Sequence, residues 1–299
     1  MPLLALLIVA AVAAACVFLL TLRYPRSPLP TIAAARTVGR SLGRRERMGH
    51  VLRGRLDPAA ATGLALTLAL LLAMGGGILL ALLAYLVRSN DALARVDNSV
   101  ARWGDAHASS LSTDGLQIVT TLGETWFVLV AAIVVAIVES VRVPSRWIVP
   151  FLAVVILGNN LLTHTVKELA DRVRPDLNPI AATLGPSFPS GHSSTAAAFF
   201  AAAALVLGRR RGHLARALLA AGAVAIAVGV ACTRVLLDVH WLSDVVAGVT
   251  LGWAWFALCA TAFGGRLLRF GATAEVAVGA AEAVAPTNES PRLGTPPAR

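Results

Sequence analysis

Apolar residues in this chain come in long blocks, with no strict alternation and no narrow amphipathic stripe. Seven runs approach membrane-spanning length: 3–22, 61–87, 117–138, 148–166, 190–208, 216–233 and 243–264. A bilayer core needs about 20 mostly apolar residues per helix. The pattern therefore predicts an all-α fold, a polytopic transmembrane helical bundle of six core helices with one extra N-terminal transmembrane helix. The first run reads as a retained helix and not a cleaved signal, because no positive charge precedes it and apolar residues continue through Leu22. The expected organisation is an N-terminal helix (1–22), a basic cytoplasmic segment (23–60), a six-helix core (61–264) and a disordered cytoplasmic tail (265–299).

Composition supports the same class. The chain of 299 residues is 57% hydrophobic and 14% charged, with a mean hydropathy of +0.74, which excludes an ordinary soluble domain at roughly 25% charged. The net charge of +10 would suggest nucleic acid as a partner in a soluble protein. Here it is better read as loop charge facing anionic lipid, so the bilayer is the expected partner and nucleic acid is not.

Arginine placement predicts orientation, because short cytoplasmic loops collect Lys and Arg. The 23–60 segment carries nine arginines and is placed inside, as are 139–147 with Arg142 and Arg146, and 209–216 with Arg209, Arg210, Arg211 and Arg216. The stretches 88–116, 167–189 and 234–242 then fall outside, the first as a loop of mixed charge. Within 31–48, Arg36, Arg40, Arg44 and Arg47 recur at helical spacing, which suits either a basic helix on headgroups or a solvated loop. Cys16, Cys232 and Cys259 lie inside apolar runs without C-x-x-C spacing and read as packing residues. No repeat suggests paired transporter halves, and oligomeric state is not legible.

Polar residues in a membrane bundle are expensive, so their clustering is informative. Three clusters stand at the ends of apolar runs on the same predicted face. The first runs from Lys167, the chain's only lysine, through Asp171 and Arg172 to Arg174 and Pro175. Lys167 and Arg174 are seven apart, so a helix continued past the membrane edge would point both cations to one side, with Pro175 ending it. Headgroup anchoring is the plainer reading of that block alone. The second is Pro189-Ser190-Gly191-His192, which opens an Ala-rich run. A helix N-terminus offers unpaired N–H groups that suit a phosphoryl oxygen; Ser190 adds a hydroxyl, and His192 can exchange a proton. The plainer reading is an N-cap turn with an incidental His.

The third cluster runs from Thr233 and Arg234 to His240 and Asp244. If the last helix starts near His240, a carboxylate four residues on can accept from one ring nitrogen and leave the other nucleophilic. Arg234 adds a planar cationic fork for phosphate oxygens. Asp238 is a weaker candidate that balances charge.

In this order, K-x6-R-P, P-S-G-H and [S/T]-R-x5-H-x3-D resemble the motifs of the type 2 phosphatidic acid phosphatase superfamily, in its membrane branch. Ten positions match: Lys167, Arg174, Pro175, Pro189, Ser190, Gly191, His192, Arg234, His240 and Asp244. Thr233 stands where the family usually has Ser. The resemblance spans residues 61–264. It implies that His240 attacks phosphorus to form a phosphohistidine, that Asp244 orients it, and that His192 protonates the leaving alkoxide and then deprotonates water. It further implies that Lys167, Arg174, Arg234, Ser190 and the Gly191 N–H hold the phosphoryl oxygens, with no metal or other cofactor.

The expected function is therefore hydrolysis of a membrane lipid phosphate of the undecaprenyl diphosphate, phosphatidic acid or phosphatidylglycerophosphate type. The enzyme would be a multi-pass protein of the cell membrane with its site on the extracytoplasmic face. Two alternatives are phospholipid-headgroup phosphotransfer at the same site and non-catalytic lipid binding or transport. The soluble vanadate-dependent haloperoxidases share the motifs, but this chain's apolar content sets it apart from them.

Overall fold

The computed structural model describes residues 2–23, 75–87, 89, 91–107, 109–175 and 185–268. The basic segment from residue 24, the first half of the second apolar run (61–74), residues 176–184 and the tail from 269 lie outside the described residues. Among the described residues every regular element is a helix. In chain order these are α1 (Pro2–Arg23), α2 (Gly75–Val87), α3 (Asp91–Ala106), α4 (Ser110–Thr121), α5 (Thr125–Arg142), α6 (Ile148–Ala170), α7 (Gly191–Leu207), α8 (His213–Leu236) and α9 (Leu242–Leu268).

Five of them, α1, α5, α6, α8 and α9, are long and apolar enough to cross a membrane. Their outward faces carry Leu4, Ile8, Leu129, Ile133, Leu157, Leu161 and Leu218, all exposed. Exposed aliphatic surface on this scale is what lipid-facing helices present. The chain is a multi-pass membrane protein.

Helix α7 lies at the centre, in contact with α5, α6, α8 and α9. It has 17 residues, at the short end of the bilayer-spanning range at about 1.5 Å per residue. Its neighbours shield it, and Ala196, Ala197, Ala198 and Ala202 are fully buried. Small residues let these helices approach closely. A Cβ built on Gly252 of α9 would lie 2.3 Å from the Ser194 carbonyl oxygen, and one on Gly248 would lie 2.5 Å from that of Ser190. Across α6, Gly158 receives the Trp255 ring, whose indole N–H donates to the Val155 carbonyl at 3.1 Å. The N-terminal helix α1 packs along α8 and touches α4.

Three expectations need correction. The run 117–138 is not one helix: α4 stops at Thr121 and α5 starts at Thr125. The turn between them carries Gly123, where a Cβ would lie 2.7 Å from Val230 Cγ1 and 3.1 Å from the His192 carbonyl oxygen. An apolar count runs across this break because the only charged residue there is Glu124, the other polar residues being Thr120, Thr121 and Thr125. The 88–116 stretch is not a loop either. It holds α3, bent by 83° from α2, and the start of α4, which a Ser109–Ser112 capping box opens. Polar composition hid α3, whose buried side holds Asp97, Ala101 and Gly104.

The third correction concerns α6, which ends at Ala170 and does not continue to Arg174. Asp171 adopts a left-handed conformation with φ 42°, and its N–H closes the helix on the Lys167 carbonyl. Arg172 to Pro175 then run as irregular chain with no helical turn.

Candidate active site

The end of α6, the start of α7 and the α8–α9 turn meet at one end of the bundle. Lys167 projects from the last turn of α6 and donates to the Pro186 carbonyl at 2.9 Å. Arg174 arrives from the chain beyond that helix and donates to the same carbonyl at 3.2 Å and to Gly185 at 2.8 Å. The two cations therefore converge although no single helix carries them. Burial pulls the Arg174 guanidinium below its ordinary value.

His240 sits in the turn before α9, which begins at Leu242 and not at His240. The ring is 2% exposed. Arg174 Nη1 lies 3.1 Å from His240 Nε2 and donates to the Val239 carbonyl at 2.6 Å. A guanidinium has donors only, so Nε2 carries the lone pair and the ring proton belongs on Nδ1. That nitrogen faces Asp244 Oδ2 at 3.5 Å. Burial pushes the His240 imidazole down to about 4, against the hydrogen bond and charge of Asp244, while Arg174 and Arg234 push it further down. The ring is neutral at physiological pH.

Asp244 is fully buried and held from several sides. Oδ2 accepts from the Trp241 N–H at 3.0 Å, and Oδ1 accepts from Arg172 Nη1. Its backbone carbonyl receives the Ser190 N–H at 3.0 Å, tying the start of α7 to the start of α9.

At the start of α7, Ser190 is buried and its hydroxyl accepts from Ser193 at 3.0 Å. Gly191 opens the helix. A Cβ there would meet Thr163 Cγ2 at 3.8 Å. His192 follows within the first turn, and the ionisable groups around it are Arg234, His240, Lys167 and Arg174. Arg234, in the last turn of α8, donates to Thr120 Oγ1 at 3.0 Å. All eight residues singled out in the sequence thus stand at this end of the bundle. The Thr233 hydroxyl is directed elsewhere: it donates to the Val230 carbonyl of its own helix at 2.6 Å.

Sequence reasoning assigned no role to Asp97, Thr120 or Arg172. Arg172 was visible inside the first cluster, whereas nothing in the sequence around Asp97 or Thr120 links them to the motifs. Asp238 stands in the α8–α9 turn at φ 54° and is 7% exposed. Burial, reinforced by Asp105, raises its carboxyl to about 6. Among the described residues no group of three or more His, Cys, Asp or Glu side chains could hold a metal ion.

Beside the polar site, an apolar cavity of about 670 Å³ opens between α2, α6 and α9. Its lining includes Leu80, Ala84, Val166, Ala170, Leu251 and Trp255. Val166 flanks Lys167 directly, so apolar space begins one residue from a site cation.

Residues 148–267 match the PAP2 superfamily. Over 122 residues the chain is 37% identical to the lipid A 1-phosphatase of Rhizobium johnstonii, covering 38% of this chain and 46% of that one. It is 38% identical over 104 residues to phosphatidylglycerophosphatase B of Bacillus subtilis, covering 33% and 50%. The chain thus spans about half the length of these curated relatives. The decaprenylphosphoryl-5-phosphoribose phosphatase of Mycobacterium tuberculosis is 30% identical over 141 residues, covering 45% and 72%. The crystal structure of a transmembrane PAP2-type phosphatidylglycerolphosphate phosphatase from Bacillus subtilis superposes with a TM-score of 0.59 at 27% identity, covering 66% of this chain and 98% of that one. With a 30%-identical relative matched over 72% of its length and the same fold in a solved member, the chain belongs to the PAP2 superfamily.

Proposed function

We propose that this protein is an integral membrane lipid-phosphate phosphatase, hydrolysing a phosphomonoester or diphosphate of a membrane lipid through a phosphohistidine on His240. The observation that carries this reading is the placement of the two ring nitrogens of His240. One faces the orienting carboxylate of Asp244, and the lone pair of the other stands 3.1 Å from Arg174, a cation suited to a phosphoryl oxygen.

In the first half-reaction His240 Nε2 attacks phosphorus, the P–O bond to the lipid breaks, and the leaving alkoxide takes a proton from the imidazolium of His192. In the second, a water oxygen attacks the phosphohistidine while neutral His192 takes its proton. The P–N bond breaks and inorganic phosphate leaves, so His192 is reprotonated and His240 returned. Lys167, Arg174, Arg234, Ser190 and the Gly191 N–H hold the phosphoryl oxygens. Phosphoryl transfer is chiefly positioning and charge stabilisation, and a fixed cationic cage supplies both without a metal.

The cavity beside Lys167 gives an acyl or prenyl chain a place next to the cage, which favours a substrate with its phosphate at headgroup depth. The names of three relatives point to the same chemistry, a phosphate borne by an amphiphile. Arginine-rich inner loops favour a site on the extracytoplasmic side of the cell membrane. Phosphate release from purified protein in detergent, measured with phosphatidic acid, phosphatidylglycerophosphate and undecaprenyl diphosphate, tests the reading. Turnover of at least one is expected, and turnover of none would refute it.

A further inference from the structure

Arg172 occupies a position that the phosphate cage does not use. It follows the left-handed Asp171 that ends α6, and its backbone carbonyl is fixed by the Ser187 N–H at 2.8 Å. Its guanidinium lies against the Trp241 ring at 5.4 Å, and the Trp241 indole donates to the neighbouring Val173 carbonyl at 3.0 Å. From this place Nη1 donates to Asp244 Oδ1 and to Ser243 Oγ, and Nη2 donates to Asp97 Oδ2 at 2.9 Å.

Asp97, 1% exposed on α3, closes the circuit. Its Oδ1 accepts the Ser243 backbone N–H at 2.9 Å and its Oδ2 accepts the Ser243 hydroxyl at 2.6 Å. A carboxylate from a separate helix thereby caps the first turn of α9, the turn that carries Asp244. Removing either member would leave buried charge without its partner.

We propose that Arg172 and Asp97 are positioning residues that act through Asp244. They lock its carboxylate so that Oδ1 is occupied and Oδ2 faces His240 Nδ1. The inference rests on the reading of His240 as nucleophile. Neither residue touches the phosphoryl group; their effect passes along the sequence Asp97, Arg172, Asp244, His240. The charged and titratable groups around His240 are Asp244 on α9, Arg172 and Arg174 beyond α6, Lys167 on α6, His192 on α7, Arg234 on α8 and Asp238 in its own turn. Within that set, Arg172 offsets the negative charge of Asp244, and Asp97 offsets Arg172.

Opposite signs follow. Arg172→Gln removes a positive charge next to Asp244 and should move the titration of the His240 ring upward. Asp97→Asn leaves Arg172 uncompensated and should move it downward, while Arg172→Lys keeps the charge and should leave it nearly in place. The experiment follows the His240 ring by NMR in detergent-solubilised full-length protein, using His240→Asn to assign the resonance. In parallel, kcat and KM are measured on phosphatidic acid, phosphatidylglycerophosphate and undecaprenyl diphosphate. Both charge-removing variants should lose roughly 10- to 100-fold in kcat, the range found for outer partners of oriented ligands, with KM changed by less than about threefold. Shifts of the same sign, no shift, or a loss confined to KM would overturn the proposal. If Arg172→Gln does not fold, Asp97→Asn and Arg172→Lys decide it: an unmoved titration in Asp97→Asn refutes it. Should the wild-type protein release no phosphate, the phosphatase reading fails while the NMR comparison still decides whether the clamp acts on His240.

Discussion

His240 Nδ1 stands 3.5 Å from Asp244 Oδ2, on the side of the ring away from Arg174. The imidazole is held between a carboxylate that keeps the proton on one nitrogen and a guanidinium beside the lone pair of the other. Replacing His240 with Ala should abolish phosphate release, by at least about 1,000-fold, because it removes the side chain proposed to form the covalent intermediate. Circular dichroism and thermal unfolding of the variant should match the parent. Retained turnover in a folded His240→Ala protein would exclude the nucleophile assignment.

The depressed basicity of His240 sets the acid side of the pH profile. Burial holds its ring down at about 4, and in the proposed mechanism the unprotonated form attacks, so kcat/KM should be insensitive to this group near neutrality. It should fall as pH drops through that value, since the profile of kcat/KM reports groups of the free enzyme. An acid limb assigned to His240 at or above its ordinary value of about 6.5 would show that burial does not govern the ring.

Asp238 carries a stability signature of opposite character. Its carboxyl is raised to about 6 in the folded protein, so between about pH 4 and 6 the native state binds a proton that the unfolded chain has released. The contribution is favourable on the acid side, is lost as pH rises through that window, and stays lost at neutrality. Asp238→Asn should gain about 1–2 kcal/mol near pH 7 and almost nothing near pH 4. Asn tolerates the left-handed backbone that this position requires. Unfolding midpoints at the two pH values check this; an equal gain at both would detach the effect from titration.

The approach of α9 to α7 depends on having no side chain at Gly252. Gly252→Ala places a methyl 2.3 Å from the Ser194 carbonyl oxygen and should cost about 1–3 kcal/mol by overpacking, read as a lower unfolding temperature. Because the same helix pair holds Ser190 against Asp244, activity per folded molecule should fall as well. A variant with unchanged stability would mean that the two helices are less closely seated.

Orientation is tested by chemistry at α3. In a background with Cys16, Cys232 and Cys259 replaced by Ala, a cysteine at exposed Arg102 should react with an impermeant thiol reagent in intact cells. Labelling only after lysis would place the site on the cytoplasmic side.

The helical class and the three polar clusters were legible in the sequence because each rests on a local signal: a long apolar run, or a motif at the end of one. Details that depend on tertiary contact were not. The Gly123 break is invisible in an apolar count, and the closeness of Val230 and His192 to that glycine is a tertiary contact. Lys167 and Arg174 were expected to share a helix face, but they meet through the Pro186 carbonyl after the helix has ended. Asp97 reads in the sequence as one more acidic residue of a mixed-charge loop. Only the fold brings it 146 residues along the chain to Ser243.

Rapid quenching is the sharpest test of the proposed covalent step. Full-length protein is mixed with a lipid phosphate that it turns over, radiolabelled in the phosphoryl group, then stopped in alkali and digested. An alkali-stable, acid-labile label is expected on the peptide containing His240 in the wild type, and none in His240→Asn. Steady turnover with no such label, or equal labelling of both proteins, would contradict it.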